Sequence, residues 1–122
     1  MKNKKLMIYR IIFICWTVII FTLTSIPKLK SPASDIIEID KLAHFGVYFV
    51  FAYLLVRISR RDERGVIKIL ILTALIIPVL DELHQIPIPG REFCIFDIIA
   101  DIAGFAAVIF LLKIKQIRPI GN

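Results

Sequence analysis

Cysteine is scarce in this chain: there are two, Cys15 and Cys94, too few for a disulfide scaffold. Five glycines and six prolines exclude a collagen-like or low-complexity chain. Charge is thin, at 21% of residues, and acids are the minority, 10 against 16 Lys and Arg. No internal repeat or linker is visible, and 122 residues leave no room for a second domain beside the first. No His-Glu-x-x-His segment and no cysteine pair occurs, so no metal is assigned and no cofactor is identified.

What is present is apolar. Hydrophobic residues make up 58% and mean hydropathy is +0.82, against about 45–50% apolar in an ordinary globular chain. A small domain has too little interior to hide such a surface from water. Disorder is excluded for the same reason, because the chain has ample apolar surface to bury. The net charge of +6 would suggest nucleic acid in a soluble protein, but no basic amphipathic face or aromatic-basic interleaving supports it. No nucleic-acid partner is expected. The basic residues instead punctuate apolar runs, as membrane-topology signals do.

Four uncharged runs stand out: 11–27 with 17 residues, 42–56 with 15, 69–80 with 12 and 102–112 with 11. A crossing needs about 20 mostly apolar helical residues. The first two reach that length by extending to their flanks. The last two reach it only by taking in Asp81 and Glu82, and Asp97 and Asp101. The alternative, a soluble bundle, fails on pattern, since 69–80 and 105–112 are apolar all round, with no polar stripe. The expectation is an all-α, four-transmembrane-helix bundle, one domain over 1–122 with spans near 6–26, 41–58, 66–85 and 94–113.

Twelve Lys and Arg fall at the N-terminus, in 57–68 and in 113–118, and four (Lys28, Lys30, Lys41 and Arg91) on the other side. Lys and Arg accumulate in short cytoplasmic loops, so both termini are expected in the cytoplasm. The first span follows a Lys-rich start, yet its apolar stretch exceeds a signal-peptide core and no A-x-A site follows, so an uncleaved anchor is expected. Cys15 lies deep in that span and Cys94 near the outer surface, so no bond between them is expected.

The polar residues of the spans gather at one level. Asp40, His44 and Tyr48 share a helix face at i, i+4 and i+8, with Lys41 beside them. Glu82 and Gln85 are i, i+3, and Asp97 and Asp101 are i, i+4. A rise of about 1.5 Å per residue places Asp81, Asp97 and Asp101 roughly 5–11 Å below the outer ends of their helices. A charged side chain costs about 2.5–3.5 kcal/mol at a span centre, so these groups should turn inward and pair. An outward-facing polar pocket built from spans two, three and four follows, with Asp40, Lys41, His44, Tyr48, Glu82, Gln85, Arg91, Asp97 and Asp101 as binding residues. Pro78 frees the Ala74 carbonyl just before Asp81. The 86–93 connection, with two prolines and a glycine, ends the helix, and Arg91 at its end is expected to pair with Glu82, Asp97 or Asp101 or to hold an anion. Ala100, Ala103, Gly104 and Ala107 read as close-packing positions.

Three segments bear on identity: the run Asp40-Lys41-x-x-His44-Phe45-x-x-Tyr48, then Asp81-Glu82-x-x-Gln85, and Pro89-Gly90-Arg91 followed by Asp97 and Gly104. Together with Ser25-Ile26-Pro27 they resemble the VanZ-like family over nearly the whole chain. Cys94, Asp101 and Val108 depart from its pattern, where serine, asparagine and glycine are usual. The resemblance implies a small multi-pass protein of the bacterial cytoplasmic membrane, tied to the cell envelope; the family's namesake is associated with resistance to the glycopeptide teicoplanin. Three function classes stay open. One is binding or shielding of a cell-wall lipid precursor or glycopeptide-like molecule. A second is an enzyme on an envelope lipid or its head group, with His44, Glu82 and Asp97 as catalytic candidates: Glu82 or Asp97 as base or divalent-ion ligand, and His44 as acid/base. The third is a structural accessory of a larger membrane complex.

Overall fold

The computed structural model describes residues 1–27 and 35–120, with side chains placed from Ile39 onward in the second helix. Lys28 and Lys30, used in the orientation argument, lie outside the described residues. Among those described, the chain is four helices and no strand: α1 Lys2–Ser25, α2 Asp35–Ile58, α3 Glu63–Gln85 and α4 Ile95–Lys113. All four expected helices are present.

Three of them, α1, α2 from Ile39 and α4, are long and apolar enough to cross a membrane. The exception is α3, and charge is the reason: Lys68 near one end and Asp81 and Glu82 near the other leave no long uncharged stretch. The outward surface is apolar along its length. Ile14, Val18 and Phe21 of α1, Leu72 and Leu75 of α3, and Ile99 and Phe110 of α4 are all exposed. Each such side chain left in water forgoes roughly 1.5–3 kcal/mol of burial, so a lipid surround is the solvent this exterior suits. Cys15 and Cys94 are both free.

The helices pack in the ring order α1, α2, α4, α3, with α2 on α4 the most extensive contact and α2 close to α3 across the ring. The core is an aromatic knot of Tyr48, Phe51 and Phe105, whose ring centroids lie 6.0–6.1 Å apart, continued by Val56, Leu70, Val108 and Leu112. Val108 is fully buried, so the space a glycine would leave is filled. One small residue sets the α2–α4 approach: a Cβ on Gly104 would lie 2.6 Å from the Phe45 carbonyl oxygen and 2.8 Å from the Phe49 nitrogen. Gly104 is therefore a contact between backbones, as small residues are at membrane helix crossings. Ala103, by contrast, is exposed and takes no part in that seam.

The helix ends are fixed by identifiable devices. Asp62 caps α3 by accepting the Gly65 N–H at 3.2 Å. At the end of α4, the Gln116 N–H reaches the Leu111 carbonyl and the Lys115 N–H the Leu112 carbonyl, with Lys115 at φ 61°. That is a Schellman motif carrying lysine where glycine is usual. The tail then returns to α2, where the Ile120 N–H meets the Arg57 carbonyl at 3.2 Å.

Candidate functional site

The polar residues singled out in the sequence lie at one end of the bundle, but they divide into two groups that share His44. The first is a packed network between α2 and α4. His44 Nδ1 lies 2.9 Å from Asp101 Oδ1, and its Nε2 lies 3.6 Å from Asp97 Oδ2. The Lys41 ammonium contacts Asp97, lies 3.7 Å from Asp40 Oδ2 and donates to Cys94 Sγ at 3.5 Å. Asp101 is completely buried and Asp97 nearly so. The helix rise explains the pairing: the i, i+4 carboxylates Asp97 and Asp101 on α4 face the i, i+3 side chains Lys41 and His44 on α2.

The second group lines open space. A cavity of about 170 Å³ is bounded by Asp40, His44, Tyr48, Asp81 and Arg91 together with Leu23 and Thr24 of α1. A neighbouring cavity of about 240 Å³ shares Ile20, Tyr48 and Asp81 with it and is otherwise walled mostly by apolar side chains, among them Phe51, Ile77 and Leu80. The Tyr48 hydroxyl donates to Asp81 Oδ2 at 2.9 Å, on the boundary between the two. Both cavities have largely apolar walls, and the charged side chains Asp40, His44 and Arg91 border only the first. Their walls come from α1, α2, α3 and the loop after α3; α4, expected in the wall, stands behind α2 with its acids engaged inside the protein.

Glu82 and Gln85 belong to neither cavity. Glu82 is completely buried, and its Oε2 accepts the Cys94 N–H at 3.0 Å. Cys94 is the N-cap residue of α4 and makes no side-chain cap of its own, so Glu82 satisfies an orphan amide at the start of that helix. Its other oxygen, Gln85 Nε2 and Asp101 Oδ2 are buried without a partner among the described residues.

Arg91 pairs with none of the carboxylates expected for it. Its guanidinium donates to Gln85 Oε1 at 3.1 Å and to the carbonyls of Leu23 and Ile26 at 2.8 and 3.2 Å. The cause is the preceding turn. Pro89 and Gly90, the latter at φ 77°, occupy the central positions of a type II turn closed by the Arg91 N–H on the Ile88 carbonyl at 3.1 Å. The turn aims Arg91 at the C-terminal end of α1, where it joins the Ile26 N–H on the Leu23 carbonyl and takes the Ile26 carbonyl beyond the helix. His84 fastens the same end, stacked on Phe21 with centroids 4.7 Å apart and 2.9 Å from Ser25 Oγ.

Among the lining residues that the sequence leaves unassigned are Asp81 and, from α1, Ile20, Leu23 and Thr24. Tyr48 facing Asp81 across two spans is a signal that would have found Asp81; α1 has no charged residue from Ile11 to Ser25, so nothing in it marks a wall.

Among the described residues one set has the donor chemistry of a cation site: ligand atoms of Asp40, His44 and Asp97 all lie within 4.8 Å of one another. The Lys41 ammonium already stands between the two carboxylates. No curated protein and no solved structure matches the chain. Residues 4–116 match the family model described as VanZ/LLP1, which covers nearly the whole length over which the Asp40–Tyr48, Asp81–Gln85 and Pro89–Arg91 segments are placed, and the chain belongs to that family.

Proposed function

We propose that this protein is a four-span protein of the bacterial cytoplasmic membrane, both termini cytoplasmic, that binds or shields a lipid-linked cell-wall precursor or glycopeptide-like molecule at its outer end. The observation that carries the reading is the pair of adjoining cavities with Tyr48 and Asp81 on their common boundary. A ligand with a hydrogen-bonding head and an apolar chain matches that division, with Asp40, His44 and Asp81 toward amine or hydroxyl groups and the chain against Phe51, Ile77 and Leu80. The acids Asp97 and Asp101, with Lys41, hold His44 in place from behind. Arg91 closes the outer edge while fastened to α1.

The α3 helix spans in this reading although it carries Asp81 and Glu82, because both have internal partners, the Tyr48 hydroxyl and the Cys94 amide. Orientation is tested by single cysteines at positions 60 and 92 in a background with Cys15 and Cys94 replaced: only position 92 should label from outside intact cells. Binding is tested with a fluorescent lipid-linked cell-wall precursor added to the protein in nanodiscs. Asp81→Asn and Leu80→Glu should each weaken binding about tenfold or more, the scale of one charge-assisted hydrogen bond or one misplaced charge. Teicoplanin protection in expressing cells should fall in parallel. Unchanged binding in both variants refutes the assignment of the cavities.

A second reading, a membrane-embedded enzyme acting on an envelope lipid or its head group, is favoured by the convergence of Asp40, His44 and Asp97. A divalent ion there would need Lys41 to swing away. In that case Lys41→Gln should raise divalent-ion affinity, and Asp97→Asn should abolish it.

A further inference from the structure

The opposite end of the bundle holds a second cavity, of about 290 Å³, that the outer site does not use. Three arginines from separate places in the chain line it: Arg10 of α1, and Arg60 and Arg61 of the α2–α3 connection. Its remaining wall is largely apolar, with Leu55 and Ile58 of α2 and Ile69 of α3. No acidic residue lines it. Asp62, next in sequence, caps α3 through one carboxylate oxygen, and Glu63 borders a different cavity with Lys115 and Arg118. Arg57, close by, has a separate structural task. Its guanidinium lies 5.0 Å from the centre of the Tyr9 ring and donates to the Arg118 carbonyl at 3.0 Å. The arginines of the cavity are thus distinct from the one that holds the tail.

We infer that this cavity binds the phosphate of an anionic lipid from the adjacent leaflet. Arginine presents a planar fork suited to phosphate oxygens, and basic pockets between spans at a membrane surface are suited to lipid head groups. The apolar wall decides between a lipid and a free phosphate. Leu55, Ile58 and Ile69 continue from the cavity into the spans, so an acyl chain attached to the phosphate has surface to lie against, and a bare anion gains nothing from them. The inference is independent of the ligand proposed for the outer end.

The test uses the full chain in mild detergent, with phosphatidylglycerol and phosphatidylcholine added in equal amounts and retained lipid read by native mass spectrometry. The wild type should keep phosphatidylglycerol preferentially. Arg10→Gln/Arg60→Gln/Arg61→Gln should lower that preference by about tenfold or more, the loss expected for a charge-assisted bond. Lys2→Gln/Lys4→Gln/Lys5→Gln, with equal charge loss outside the cavity, should leave it unchanged. If the triple arginine variant does not fold, Arg60→Gln alone, on an exposed residue, should show a partial loss. Equal losses in the arginine and lysine variants would reduce the effect to net charge and overturn the inference. So would displacement of the retained lipid by millimolar inorganic phosphate alone, which would make this a free-phosphate site.

Discussion

Replacing Gly104 by alanine tests the closest point of the bundle. The added Cβ would stand 2.6 Å from the Phe45 oxygen and 2.8 Å from the Phe49 nitrogen, both backbone atoms of α2, which cannot rotate aside as a side chain can. Restoring an ordinary contact of 3.4 Å requires α4 to retreat from α2 by nearly an ångström. Asp101 lies one turn away, and the same retreat would stretch its 2.9 Å contact with His44 beyond hydrogen-bonding range. Overpacking costs about 1–3 kcal/mol and the lost hydrogen bond about 1 kcal/mol more, so Gly104→Ala should destabilise by about 2–4 kcal/mol. The internal control is Gly46, where an added Cβ meets nothing within 4 Å; Gly46→Ala should be neutral or stabilising by up to about 1 kcal/mol, the usual gain of alanine over glycine inside a helix. The assay is reversible unfolding in mixed micelles, followed by fluorescence of Trp16, whose Nε1 donates to the Val47 carbonyl at 3.1 Å. If the two variants unfold within about 0.5 kcal/mol of each other, the argument that this crossing is set by backbone contact is refuted; 0.5 kcal/mol is the scatter expected of an uninvolved surface change.

Other substitutions separate shape from charge. Asp101→Asn keeps an acceptor for His44 and should cost under about 1 kcal/mol, whereas Asp101→Leu strands the buried imidazole and should cost about 1–3 kcal/mol in the same unfolding assay. At Glu82, glutamine can still accept the Cys94 amide and should be tolerated, while leucine leaves the start of α4 uncapped, seen as faster amide exchange at Cys94 and Ile95. Lys115→Gly relieves a left-handed residue and should raise stability by about 1 kcal/mol in thermal unfolding. Gly90→Val forces a β-branched residue into φ 77° and should release Arg91 from α1, read as faster tryptic cleavage after Arg91.

Much of the architecture was legible because membrane helices declare themselves by uncharged length. The runs 11–27 and 42–56 lie within α1 and α2 apart from the last residues of the first, and the Pro89-Gly90 pair announced the turn that ends the helical stretch. Rise per residue alone put Asp81, Asp97 and Asp101 at one level, and in the structure Asp97 and Asp101 meet Lys41 and His44 of α2. The partners were harder to read. Periodicity places Arg91 after a turn but cannot say that the carbonyls of Leu23 and Ile26 at the end of α1 hold it instead of a carboxylate. Nor does an uncharged helix such as α1 signal that Ile20, Leu23 and Thr24 border the same space as Asp81, since apolar positions facing a cavity and those facing lipid are chemically alike.

The ring order has a consequence for biosynthesis. The broadest interface joins the second helix to the last, so it cannot form until the ribosome has made nearly the entire polypeptide. Until then Lys41 and His44 lack Asp97 and Asp101, and Glu82 has no Cys94 amide to accept. A nascent chain stalled before residue 95 would expose these groups to the translocon or to quality-control proteases, making arrival of the final helix the committing step of assembly.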